Sequence, residues 1–114
     1  MSNNEVGNEV TRVLDDITRE AFKTGRPSIG RLATVQSIVD LGEGWHNYRD
    51  IQKRLQSLLF TGSVFSFQLV ARYPRVFERD GDNVRISPPA FRFVAKEIGP
   101  RLKKAKGAVD ERKG

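Results

Sequence analysis

The chain has 114 residues, 20 Lys and Arg against 14 Asp and Glu, a net charge of +6, one His and no Cys. That length holds one domain with a single modest core. The absence of cysteine excludes disulfides and thiolate metal sites and points to a reducing, intracellular (cytoplasmic or nuclear) setting. No apolar run approaches the roughly 20 residues needed to cross a membrane, and the first residues lack a signal-peptide pattern. The charge is uneven: residues 1–20 balance at −3, residues 21–75 at +5 and residues 76–114 at +4. A basic surplus that starts after the first helix favours a polyanionic partner engaged through phosphate contacts.

Residues 1–8 and 105–114 are polar or small and read as frayed ends, so we place the domain at 9–100 with a basic flexible tail over 101–114. Val6, Val10, Val13, Leu14, Ile17 and Ala21 recur at spacings of three and four, which predicts a helix over 8–23. Gly25 and Pro27 stop it. Ser28 is the expected cap of a second helix, whose stripe is Ile29, Leu32, Val35, Ile38, Val39 and Leu41, ended by Gly42-Glu43-Gly44. Asn47 caps a third, with Tyr48, Ile51, Leu55, Leu58 and Leu59 inward and Arg49, Gln52, Lys53, Arg54 and Gln56 outward. Thr61-Gly62 breaks that helix, and Ser63 caps a fourth that runs to Arg72.

Pro74 then stops the chain, and a hairpin follows. Val76 and Phe77 open one strand, Val84 and Ile86 form the other, and Asp80-Gly81-Asp82-Asn83 is turn chemistry between them. Ser87-Pro88-Pro89 starts a last helix with Phe91, Val94, Ala95 and Ile98 inward, expected to stop or kink at Gly99-Pro100. The predicted fold is mainly α with a small β-hairpin, a winged helix-turn-helix.

Catalysis finds little support. His46 is a lone loop histidine beside Trp45, Asp15 and Asp16 diverge on a helix, and Asp80 and Asp82 belong to a turn. The glycine spacings fit neither phosphate-binding nor dinucleotide-binding loops, and no ligand cluster for a metal exists, so neither cofactor nor metal is expected.

Three basic groups are candidate nucleic-acid contacts. The first is Arg49, Lys53 and Arg54, with Gln52 and Gln56, on the outer face of the third helix, where spacings of three and four place much of the set together. The second is Gln68 and Arg72 on the helix before the hairpin, the element a winged helix presents to nucleic acid. The third is Arg75, Arg79 and Arg85 around the hairpin, where Arg79 and Arg85 are expected to be cross-strand neighbours that repel unless an anion or Glu78 sits close. Lys103 and Lys104 add charge in the tail. One member of each pair Phe65/Phe67 and Phe91/Phe93 must point outward on a regular helix, so Phe93 and Trp45 are candidate partner contacts.

The passage FQLVARYPRVFERDGDNVRIS resembles the C-terminal half of the LOTUS, or OST-HTH, winged-helix group, including the domain of Egalitarian-type proteins. Tyr73, Pro74, Phe77, Gly81, Asp82, Val84 and Ile86 stand at matching places, and the resemblance covers about residues 47–98. A plant organellar RNA-recognition family has a similar passage. The resemblance implies an RNA-associated module, some members binding structured RNA and others docking a DEAD-box helicase through an added C-terminal helix. The expected function is therefore non-catalytic nucleic-acid binding, RNA ahead of DNA. The alternatives are a protein-interaction module that docks a partner, such as an RNA helicase, through the last helix, and a DNA-binding transcriptional regulator.

Overall fold

The computed structural model describes residues 3–24, 26–59 and 64–113. In chain order it forms α1 (Asn3–Thr24), α2 (Arg26–Leu41), β1 (His46–Asn47), α3 (Tyr48–Leu58), α4 (Gln68–Arg72), β2 (Phe77–Asp80), β3 (Asn83–Ile86) and α5 (Pro88–Lys113). The three strands make one antiparallel sheet in the order β1-β3-β2. The molecule is thus mainly helical with a small sheet.

The apolar stripes explain the packing. Val6, Val10, Val13, Leu14 and Ile17 of α1, with Leu32, Val35 and Ile38 of α2, meet Val94, Ile98 and Leu102 of α5 in one core. Phe77, Val84 and Ile86 bring the sheet's inner face onto that core, and Phe77 is 1% exposed. The buried Thr34 and Ser37 each return their hydroxyl to a carbonyl one turn back, Gly30 at 2.7 Å and Ala33 at 2.7 Å, so neither leaves an unmet polar group.

Asn47 caps α3 as expected, its Oδ1 accepting from the Arg49 N–H at 3.0 Å. Gly81, at φ +60°, is the first of two residues joining β2 to β3. Since no non-glycine residue among those described has positive φ, Asp82 does not, which is the sign pattern of a type II′ hairpin turn.

Several expectations need correction. Residues 3–8 belong to α1 and residues 101–113 to α5, not to flexible ends. Helix α5 passes through Pro100 because its far side is anchored: Leu102 and Ala105 are buried, and Arg101 pairs with Asp15 of α1 at 2.7 Å and Glu97 at 3.2 Å. Tertiary contacts there offset a helix-interior proline that costs about 3 kcal/mol. Ala95 is exposed, and Ala90 takes a buried place instead. Helix α2 begins at Arg26, ahead of Ser28. The expected stop at Gly25, the break at Thr61-Gly62 and the cap at Ser63 lie outside the described residues.

The fourth helix is five residues long, preceded by non-helical backbone over 64–66. The alternation argument for Phe65 and Phe67 presumed a helix there. Instead Phe65 is buried, Phe67 half-buried, and their rings meet edge to face at 5.0 Å. Strand β1, absent from the sequence reading, pairs His46 with Val84 and Asn47 with Asn83.

Candidate nucleic-acid interface

The register of the sheet decides which side chains share a face. Glu78 stands opposite Arg85 and Arg79 opposite Val84, so Arg79 and Arg85 are not direct cross-strand neighbours. Opposite Arg85 is an acid, and the two close an ion pair at 2.5 Å. The repulsion expected between two arginines is absent because adjacent positions of a strand point to opposite faces.

Arg85, half-buried, also lies over the Trp45 ring with its guanidinium carbon 4.4 Å from the centroid. Trp45 precedes β1, and 42% of it stays exposed. Arg79, at the far end of β2, lies over Phe67 at 3.7 Å, with Nε donating to the Gly81 carbonyl at 2.8 Å. Phe67 in turn packs against Tyr48 at 5.7 Å, and the guanidinium carbon of Arg49 stands 5.8 Å from the Tyr48 centroid. Arg49 Nε donates to the Tyr48 hydroxyl at 3.4 Å, and this bond raises the arginine's pKa above its ordinary value.

The result is a ladder in which arginines alternate with aromatic rings: Arg49, Tyr48, Phe67, Arg79. Beside it Trp45, Phe67, Val70, Ala71, Pro74, Phe77, Glu78 and Arg79 line an open groove of about 520 Å³. Its lining is mostly apolar and aromatic, with one acid, Glu78, and one base, Arg79. Such a groove has what an unpaired nucleobase needs: π-faces for stacking and a guanidinium group for phosphate or for cation–π contact.

The remaining candidates divide. Lys53 is exposed and one turn from Arg49. Gln68 is exposed on α4. Arg54 is turned away and pairs with Asp40 of α2 at 2.9 Å. Arg72 faces α1, where it reaches Glu20 at 3.5 Å and Asp16 at 3.9 Å. Its neighbour Tyr73 donates its hydroxyl to Asp16; burial first, and that bond second, raise the tyrosine's pKa to about 12. Arg75 lines a separate 270 Å³ hollow with Val6, Glu9, Val10 and Ser87. Lys103 and Lys104 are exposed on α5, which packs mainly on α1 and α2.

Phe93 is a half-buried internal contact: a Cβ at Gly7 would lie 3.2 Å from its ring, and Arg92 covers it at 5.1 Å. The absent side chain at Gly7 makes room for that ring, so part of Phe93 is taken up by an internal contact. Tyr48 and Glu78 were missed as site residues, although Asn47 as a cap places Tyr48 at the first helical position. Strand alternation across the Asp80–Asn83 turn pairs Glu78 with Arg85.

Among the described residues no group of His, Asp and Glu could hold a metal ion, and no helix is long and apolar enough to cross a membrane. Comparison with protein-family models, with curated proteins and with solved structures found no match for this chain.

Proposed function

We propose that this chain is a winged-helix module that binds nucleic acid without catalysis, and that its ligand is RNA with unpaired bases. The order helix, strand, two helices and hairpin over α2 to β3, with β3 between β1 and β2, supports the winged-helix reading. The binding reading rests on one observation: the ladder Arg49–Tyr48–Phe67–Arg79, with Arg85 over Trp45 close by, brings guanidinium groups onto aromatic rings from residues spread over 41 positions, 45 to 85, and Trp45, Phe67 and Arg79 of this set line one groove.

The preference for RNA follows from α4. A five-residue helix whose last arginine is tied to Glu20 and Asp16 offers little to a major groove. Aromatic faces backed by guanidinium groups suit splayed, unpaired bases instead, the form in which RNA is read by sequence-specific proteins. Docking of a protein through the last helix draws less support, because part of Phe93 is taken up by its contact at Gly7.

An electrophoretic-shift panel with single- and double-stranded RNA and DNA at two salt concentrations tests the reading. Single-stranded RNA is expected to bind tightest and to weaken with salt. Binding to none of the four, or binding indifferent to salt, overturns it.

A further inference from the structure

One feature of the groove does not suit a purely phosphate-binding surface. Glu78, a carboxylate, is among the residues that line it. A groove evolved only to attract polyanions gains nothing from an acid in its wall. Glu78 is also held in place: Oε1 accepts from Arg85 Nε at 2.5 Å, and Arg85 is itself braced on Trp45 at 4.4 Å. Its second oxygen makes no hydrogen bond among the described residues. The groove therefore presents a fixed hydrogen-bond acceptor beside an aromatic stacking face.

We infer that Glu78 is a specificity residue that selects an unpaired base carrying an exocyclic amino group, cytosine among the pyrimidines, and rejects uracil. This rests on reading the groove as a base-stacking site. A base stacked on Trp45 or Phe67 turns its edge toward the groove wall, where Glu78 stands. Cytosine offers the N4 amino group there, and a carboxylate accepts from it directly. Uracil has a carbonyl oxygen at the same position, which leaves two acceptors facing each other with no proton between them. The ion pair with Arg85 orients the carboxylate, so the acceptor is set before the base arrives. Arg79, which also lines the groove from the other face of β2, supplies the positive charge that holds the phosphate backbone despite the acid.

The test compares fluorescein-labelled cytidine and uridine decamers by anisotropy, with the parent protein and Glu78→Gln, both shown folded by circular dichroism. The parent is expected to bind the cytidine decamer at least about fivefold more tightly, the worth of about one hydrogen bond. In Glu78→Gln, whose amide both donates and accepts, the ratio is expected to fall within about twofold. A decamer of N4,N4-dimethylcytidine, which loses the amino protons with the protein unchanged, is expected to bind the parent like uridine. Equal or tighter binding of uridine by the parent, a preference that survives Glu78→Gln, or undiminished binding of the dimethylated decamer overturns the inference while leaving base stacking intact. If the parent binds none of the decamers, the stacking reading falls and takes this inference with it.

Discussion

At the scale of single residues, Phe77 and Arg79 sit two positions apart on the same face of β2 and do opposite work. Phe77 is 1% exposed and joins the sheet to the helical core. Truncation to Ala leaves a cavity that the surrounding β-branched side chains cannot fill, and is expected to cost about 3–5 kcal/mol. Urea unfolding measures it; a loss below about 1 kcal/mol would mean that the strand does not pack in this register. Arg79 lies beyond the core on the exposed ring edge of the site, over Phe67 at 3.7 Å. Arg79→Ala forfeits one exposed cation–π contact, worth about 0.5–1 kcal/mol of stability. Its effect on RNA binding is expected to be larger, about tenfold, since it removes a rim charge and a stacking wall together. Arg85 is a poorer probe, because it is half-buried and paired with Glu78, so its removal leaves that carboxylate alone.

At the scale of elements, two attachments tie later parts of the chain to α1. Tyr73, at the end of α4, donates its hydroxyl to Asp16 on α1 and is 8% exposed. Its pKa is raised from the ordinary 10 to about 12, so the folded state favours the neutral phenol. The stability this gives is complete below pH 10 and is lost as pH rises from about 10 through 12. Tyr73→Phe is expected to remove that tyrosine-specific loss, which urea midpoints of both proteins at pH 9 and above pH 10 would register. Identical pH dependence in parent and variant would contradict the attachment.

The second attachment is the far half of α5. Leu102, 6% exposed, lies two residues beyond Pro100. Leu102→Ala is expected to cost about 2–5 kcal/mol, as for a core leucine; a change within about 0.5 kcal/mol is the surface behaviour that a flexible tail would show.

Those two elements also show what could be read from the sequence. The α1, α2 and α3 stripes, the Asn47 cap and the hairpin were legible because each rests on local spacing or local turn chemistry. The continuation of α5 was not, since Gly99-Pro100 is a local stop signal overridden by Asp15, a partner 86 residues away. The shortness of α4 was hidden for a similar reason: both rings of the Phe65/Phe67 pair pack against Tyr48, a contact that no local spacing reveals. At the site, Trp45, Arg49, Arg79 and Arg85 could be picked out by residue type alone. Which basic residues were spoken for could not, because Arg54 and Arg72 find their acids on α2 and α1.

At the scale of the whole molecule, the net charge of +6 overstates what the groove can use. Arg54, Arg72 and Arg101 are neutralised within the fold, and Lys103 and Lys104 stand on another element. Arg49, Lys53 and Arg79 remain near the ladder, with Arg85 paired to Glu78 and with Arg75 and the α5 lysines further off. Binding is therefore expected to neutralise roughly three phosphates, giving a log–log salt slope of about −2 for a single strand. A slope near zero would assign the ligand to a different chemical class.

The central claim, that the aromatic–arginine groove is the binding surface, has a built-in reporter, because Trp45 is the only tryptophan in the chain. The most direct measurement is its fluorescence during titration with a single-stranded cytidine decamer at low salt, for the parent and for Arg79→Ala. The account predicts that the parent's emission is quenched saturably as a base stacks against the indole, and that Arg79→Ala, equally folded, needs about ten times more RNA to reach the same quench. Binding that anisotropy detects while Trp45 emission stays unchanged would place the nucleic acid elsewhere on the molecule and contradict the account.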